Sequence, residues 1–291
     1  QLSVVGGAVR DRLLGKSTPD KDLDLVVEGE GSWPAIQLLE LIENQELPVG
    51  FQLKQSQSFE SFGTAQLHLH TPSGPLLCDL SSARSERYAF PGAHPEVRPA
   101  DLRQDLKRRD FSINAIAERL SLGSSPLLDP FGGEADLRAG QLKLLHPLSL
   151  QDDPSRLLRG VRYGARLELK LAPDTAAQVE STVSVWPWPE DAPALASRSR
   201  IEIELMFSEN CWRAALKLLE AWRALELIQR GWKALPRRSE VWLQRLGQWG
   251  HAIDPAWSAK ELRLVGLLWL MPDQENLLAV AERLQLAHHQ Q

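Results

Sequence analysis

The feature that most limits how this chain can fold is a strand–turn–helix–strand pattern at its start. A short apolar run, Leu2-Ser3-Val4-Val5, meets Gly6-Gly7, and Ala8 to Leu14 then reads as a short helix. A second strand-like run, Lys21 to Glu28, carries Asp22-Leu23-Asp24 near its start. Such a sequence calls for a sheet with a helix packed on it. Side chains alternate along a strand, so Asp22 and Asp24 share a face. Two carboxylates one strand repeat apart suit oxygen coordination of Mg²⁺, which can clamp a triphosphate and activate a hydroxyl for in-line attack. The glycines let backbone N–H groups approach a phosphate, the helix start favours an anion, and Arg10 adds a charge-assisted donor. A D-x-D pair alone is ordinarily a solvated acidic strand end. With the glycine turn and Arg10 it reads as a site for a triphosphate and a metal.

The rest of the chain divides into a mixed first part and a helical remainder. Trp33 to Asn44 places Ile36, Leu39 and Ile42 at helical spacing, while Gly63 to His70 alternates and Pro75 to Leu80 is apolar, both as strands do. Ser82 to Ala100, with its prolines and Gly92, reads as a mobile loop. From Asp101, a helix cap, the pattern reads as helical throughout: to Leu106, then Phe111 to Leu120, a long helix over Leu148 to Leu167, another from Pro173, and two or three more across Ser197 to Ile228. The tail tryptophans (Trp232, Trp242, Trp249, Trp257, Trp269) are expected to pack between helices. Asp79 falls on a strand expected beside the D-x-D strand, a candidate third carboxylate. His68 and His70 share an exposed strand face, and His288 and His289 belong to a frayed end.

Val5-Gly6-Gly7-Ala8-Val9-Arg10-Asp11 followed by Asp22-Leu23-Asp24 resembles the head of the class II tRNA nucleotidyltransferases, the CCA-adding enzymes, which share a polymerase-β-like fold with bacterial poly(A) polymerases. Arg108-Arg109-Asp110-Phe111-Ser112-Ile113-Asn114-Ala115 is similar to the family's R-R-D-F-T-I-N-A signature, with Ser112 for threonine. Leu127 to Gly133 matches a further element, read physically as a glycine-capped corner without chemistry. The resemblance implies that Gly7, Arg10 and Arg109 contact the incoming nucleotide and that Asp22 and Asp24 bind Mg²⁺. It implies an α+β fold: a nucleotidyltransferase head over 1–140, a helical neck over 141–230 and a helical body over 231–291, with a long tail domain absent or truncated. Ser82 to Tyr88 resembles the family's flexible loop, and Ser199 to Phe207 loosely resembles its last head-proximal motif.

Asp152-Asp153-Pro154-Ser155-Arg156 is similar to the family's E-D-x-x-R motif, with Asp152 in place of glutamate. Asp153 and Arg156, three apart on a helix, set an acceptor beside a donor. Cytosine and adenine each show an exocyclic amine next to a ring-nitrogen acceptor; uracil and guanine show the opposite pair. An aspartate that accepts and an arginine that donates therefore fit C and A. Each buried group left unpaired costs about 1–3 kcal/mol, enough to reject the other two. Arg159 and Arg162 continue along the same helix and are expected to reach phosphates.

Bulk properties agree with a folded two- or three-domain protein: 291 residues, 43% hydrophobic, and no apolar run of membrane-spanning length. The two cysteines, Cys78 and Cys211, stand apart from any C-x-x-C pair and read as reduced cytoplasmic thiols. The start shows no signal-peptide pattern and no methionine, so some N-terminal residues are expected to be missing. A net charge of −5 weighs mildly against a nucleic-acid partner, but basic residues cluster at Arg103 to Arg109 and Arg156 to Arg166. The expected activity is Mg²⁺-dependent, untemplated addition of C, A or both to a tRNA 3′ end from CTP and ATP. A poly(A) polymerase ranks lower, because Phe59 to His70 lacks that branch's basic run. A dead RNA-binding relative conflicts with the intact Asp22, Asp24, Asp153 and Arg156.

Overall fold

The computed structural model describes residues 1–16, 22–31, 33–121, 126–186, 193–253 and 257–286. It divides into two compact units: residues 1–87, 95–139 and 143–146, and residues 88–94, 140–142 and 147–291.

The first unit is built on a mixed seven-stranded sheet. In chain order its elements are β1 (Leu2–Val5), α1 (Gly7–Leu13), β2 (Asp22–Val27), α2 (Pro34–Glu43), β3 (Gln52–Phe59), β4 (Thr64–Thr71) and β5 (Gly74–Ser82). There follow β6 (Arg84–Arg87), β7 (Glu96–Pro99), α3 (Leu102–Lys107), β8 (Ala117–Leu120), β9 (Leu127–Leu128) and α4 (Gly133–Arg138). The sheet order is β3-β4-β5-β2-β1-β8-β9, with β2 and β5 parallel and the other pairs antiparallel.

Strand alternation divides the core. Leu25 and Val27 of β2 pack with Val9, Ala35, Leu39, Leu67 and Leu80 on one face. Val26 turns to the other face, with Val5, Leu102 and Leu106. Asp22 and Asp24 are in phase with Val26, so they emerge on the face that α3 covers.

Two expectations fail here, and one strand goes unanticipated. Phe111 to Leu120 is not helical: Ser112–Asn114 is one 3₁₀ turn and Ala117–Leu120 is a strand beside β1. The Ser112 hydroxyl donates to Asp136 Oδ2 at 2.6 Å, and Ala117 pairs with Val5; these tertiary bonds override the local pattern. Ser82 to Ala100 is not simply a loop, since β6 and β7 pair as an antiparallel ribbon. β3 gives no clear signal in sequence because both its faces are largely exposed at the sheet edge.

The second unit is helical apart from a small parallel pair, β10 (Gln141–Leu142) and β11 (Lys170–Leu171). Its helices are α5 (Ser149–Asp152), α6 (Ser155–Leu167), α7 (Pro173–Val185), α8 (Pro193–Ser208), α9 (Trp212–Ala221), α10 (Ser239–Ile253), α11 (Ala259–Trp269) and α12 (Leu277–Arg283). The single helix expected over Leu148 to Leu167 is broken: Asp153 is extended and Pro154 restarts the chain as α6. Of the tail tryptophans, Trp232 is buried and the Trp242 ring packs on Gly266 of α11, as expected, but Trp249 and Trp269 are largely exposed. His288 and His289 lie outside the described residues.

Candidate functional site

In the first unit the acidic strand and the basic motif meet at Gly6. Its φ of +70° favours glycine, and a Cβ there would lie 3.3 Å from Asp24 Oδ2 and 3.4 Å from Arg109 Nη1. The two charged groups thus border one small gap, which a side chain at position 6 would fill. Asp22 and Asp24 are both exposed at the open end of β2. The parallel register sets Asp79 opposite Asp24, but Asp79 Oδ1 accepts from Gln66 Nε2 at 2.9 Å. Among the described residues no three or more His, Cys, Asp and Glu side chains gather as a metal-holding group. The neighbouring Cys78 is buried, and burial and Asp79 push its thiol up to about 11, which disfavours the thiolate.

Arg109 comes from the end of α3, whose start Asp101 and Gln104 close as a capping box. Asp105, one turn earlier, is fully buried. Its Oδ2 accepts from Arg109 Nη2 at 3.1 Å, and its Oδ1 from Arg108 Nη2 at 2.7 Å and Nε at 2.9 Å. Burial pushes the Asp105 carboxyl up, but Arg109 and Arg108 outweigh it and hold it below the usual carboxylate range. Arg108 continues to Glu86 of β6 at 3.0 Å, and Glu86 also accepts from Arg84. The ribbon that resembles a flexible loop is therefore tied to α3 by an alternating row of charges.

Arg10 links the first motif to the second. It is 2% exposed, and its Nη1 donates to Asn114 Oδ1 at 2.6 Å. Asn114 Nδ2 in turn donates to Asp110 Oδ1 at 3.0 Å. The first and second motifs are thus joined by buried side-chain bonds. Gly7 starts α1, and a Cβ there would lie 3.5 Å from Arg10 Nη2. The corner at Leu127 to Gly133 is structural, and its cap is Asp129, which accepts from the N–H groups of Gly133 and Glu134. Gly133 is required there because a Cβ would meet the Ser112 carbonyl at 2.1 Å.

In the second unit Asp153 sits at the break before α6. Its Oδ1 accepts from the Ser155 N–H at 3.0 Å and hydroxyl at 2.5 Å, while Oδ2 lies 3.4 Å from Arg198 Nη1. Arg156, also buried, donates from Nη1 to Ser149 Oγ at 2.5 Å. Arg159 and Arg162, expected to reach phosphates, instead meet carboxylates of α8 and the turn after it. Glu202 accepts from Arg159 Nε at 2.5 Å and Arg162 Nη2 at 3.1 Å, and Glu209 from Arg162 Nη1 at 3.0 Å. Ser149, Arg198 and Glu209 carry no signal in sequence, because each lies far along the chain from its partner or on another element, while Glu202 falls within the Ser199 to Phe207 stretch without being singled out there. Asp105 had one: it stands three and four residues before Arg108 and Arg109.

A family model described as the poly(A) polymerase head domain matches residues 2–143, which take in Gly6, Asp22, Asp24 and Arg109. A solved tRNA nucleotidyltransferase, complexed with a primer tRNA and an incoming ATP analogue, is 30% identical, with a TM-score of 0.70. That match covers 98% of this chain and 77% of that one. The chain belongs to the tRNA nucleotidyltransferase and poly(A) polymerase family. Among curated relatives of the family, the A-adding tRNA nucleotidyltransferase of Aquifex aeolicus is 38% identical over 262 residues, 89% of this chain and 28% of that protein. The CC-adding tRNA nucleotidyltransferase of Deinococcus radiodurans is 40% identical over 229 residues, 78% and 55% of the two chains. The chain spans about half the length, or less, of these relatives. A solved CCA-adding enzyme in an apo form aligns over 99% of this chain with a TM-score of 0.75 at 28% identity. The α+β class, with a mixed sheet in the head followed by helices, is the family's fold. No helix among the described residues is long and apolar enough to cross a membrane.

Proposed function

We propose that this chain is a tRNA nucleotidyltransferase that adds C, A or both to a tRNA 3′ end from CTP and ATP without a nucleic-acid template. The observation that carries the reading is the gap at Gly6, where Asp24 of the acidic strand and Arg109 of the basic motif border the same space. The names of the A-adding and CC-adding relatives support the substrate class.

The donor set suits Mg²⁺: two exposed carboxylates on one strand face, beside a gap open to phosphate oxygens. Asp22 and Asp24 would hold the ion, which when bound supplies charge for the triphosphate and acidity to the attacking 3′-hydroxyl. The hydroxyl oxygen attacks the α-phosphorus and pyrophosphate leaves. Arg109 takes a phosphate oxygen through its Nη1 edge, and the Gly6-Gly7 turn leaves room for it. Arg10 acts through Asn114, holding that amide and Asp110 in place to receive a ribose hydroxyl.

Base choice belongs to Asp153 and Arg156. With Oδ1 taken by Ser155, Asp153 accepts an exocyclic amine on Oδ2, the oxygen that Arg198 approaches at 3.4 Å, while Arg156, steadied by Ser149, donates to the ring nitrogen. Arg159 and Arg162 serve the fold through Glu202 rather than the phosphates. We assign 1–140 to the transferase head, 141–230 to a neck and 231–291 to a body, with tRNA as the macromolecular partner. The two free cysteines support a cytoplasmic setting. Replacing Asp22 with Ala tests the chemistry: Mg²⁺-dependent incorporation of nucleotide into tRNA should vanish with the melting curve intact. Activity equal to the parent's would end the mechanism.

A further inference from the structure

Arg109 is held in an uncommon way. Among the described residues Asp105 is the only side-chain partner the structure gives it, through Nη2. Its Nε is buried with no hydrogen-bond partner, and its Nη1 borders the gap at Gly6. Arg108, which precedes it at the end of α3, is tied to both Asp105 and Glu86. One arginine is thus braced from two sides and the other is anchored by a single edge. A guanidinium is planar and rigid, so fixing one edge sets the direction of the rest. Asp105 is itself fully buried and fixed from below by the Arg84 N–H at 3.3 Å.

We propose that Asp105 is a positioning residue: its carboxylate holds one edge of the Arg109 guanidinium so that the other faces the gap where a triphosphate meets Asp24. This rests on the reading that Arg109 contacts the nucleotide. Asp105 itself does not reach the substrate. Its effect is to remove the rotamer freedom that a long side chain would otherwise lose on binding.

A double-mutant cycle separates positioning from a merely structural role. The full chain is assayed for nucleotide incorporation into tRNA, with kcat and KM measured for Mg·ATP, Mg·CTP and tRNA. The variants are Asp105→Asn, Arg109→Ala and both together. Asp105→Asn should raise the nucleotide KM about tenfold, leaving the tRNA KM within about twofold. Once Arg109 is Ala, Asp105→Asn should add less than about a twofold change. An equal effect in both backgrounds, or an equal rise in both KM values, overturns the proposal. Nucleotide kinetics unmoved by Arg109→Ala would instead overturn the reading of Arg109 itself, and the proposal with it. Should Asp105→Asn fail to fold, Arg109→Lys replaces it. A lysine keeps the charge but has a single head, which cannot both grip Asp105 and reach the gap. It should match Arg109→Ala in nucleotide KM, and a value within about twofold of the parent's sinks the proposal.

Discussion

Two basic clusters of this chain use their arginines in opposite ways. In the head, one buried carboxylate, Asp105, serves both Arg108 and Arg109, and Arg109 keeps an edge toward Asp24. On α6, Glu202 and Glu209 close on Arg159, Arg162 and Arg166. Burial works to lower Arg162, yet Glu202 and its neighbours raise it above the ordinary arginine range. A guanidinium so surrounded is part of the packing between α6 and α8. The difference teaches that a run of arginines says little about binding until their acidic partners are located: Asp105 is local to α3, whereas Glu202 and Glu209 reach α6 from far along the chain.

The comparison can be broken first at its strongest point. Arg109→Ala should lower kcat/KM for the nucleotide about 10²-fold, the scale of losing one donor to developing charge. Arg162→Ala should lower thermal stability and leave kcat/KM within about threefold, since its charge is already spent on carboxylates. Equal kinetic losses at the two positions would erase the distinction. Next in size, Glu202→Gln should cost about 2 kcal/mol in denaturant unfolding. That is less than a fully buried pair would lose, because the Arg159 side chain is 29% exposed. An unchanged midpoint would show that Glu202 is not what holds the row.

The smallest effect is in pH. Asp105 lies below the usual carboxylate range in the folded state, so its contribution is complete above about pH 4, the unfolded value. It is lost as pH falls through the lowered native value. The stability advantage of the parent over Asp105→Asn should therefore hold from pH 7 to about 4 and shrink by about 1 kcal/mol or more below that. A difference constant down to pH 2 would mean the ion pairs contribute nothing.

Much of the head was legible because its signals are local. The strand Leu2–Val5, the glycine turn, Asp22 and Asp24 in phase, and the Asp101 cap each follow from residues a few positions apart. What was not legible depends on partners far along the chain. Ala117–Leu120 is a strand only because β1 lies beside it, and β6 with β7 forms a ribbon whose charges are answered by α3. Asp153 lies outside the helix that its spacing suggested, since Pro154 breaks it there. The bond from Arg10 to Asn114, 104 residues later, is likewise invisible in the local sequence.

The central claim is that this chain selects C and A through its own side chains. The most direct measurement offers tRNA ending before CCA, after C and after CC, each with a single labelled nucleotide and Mg²⁺. CTP or ATP should be incorporated at one or more of these ends, and UTP and GTP at least about 10²-fold less efficiently. Incorporation of UTP or GTP as readily as CTP would contradict the account.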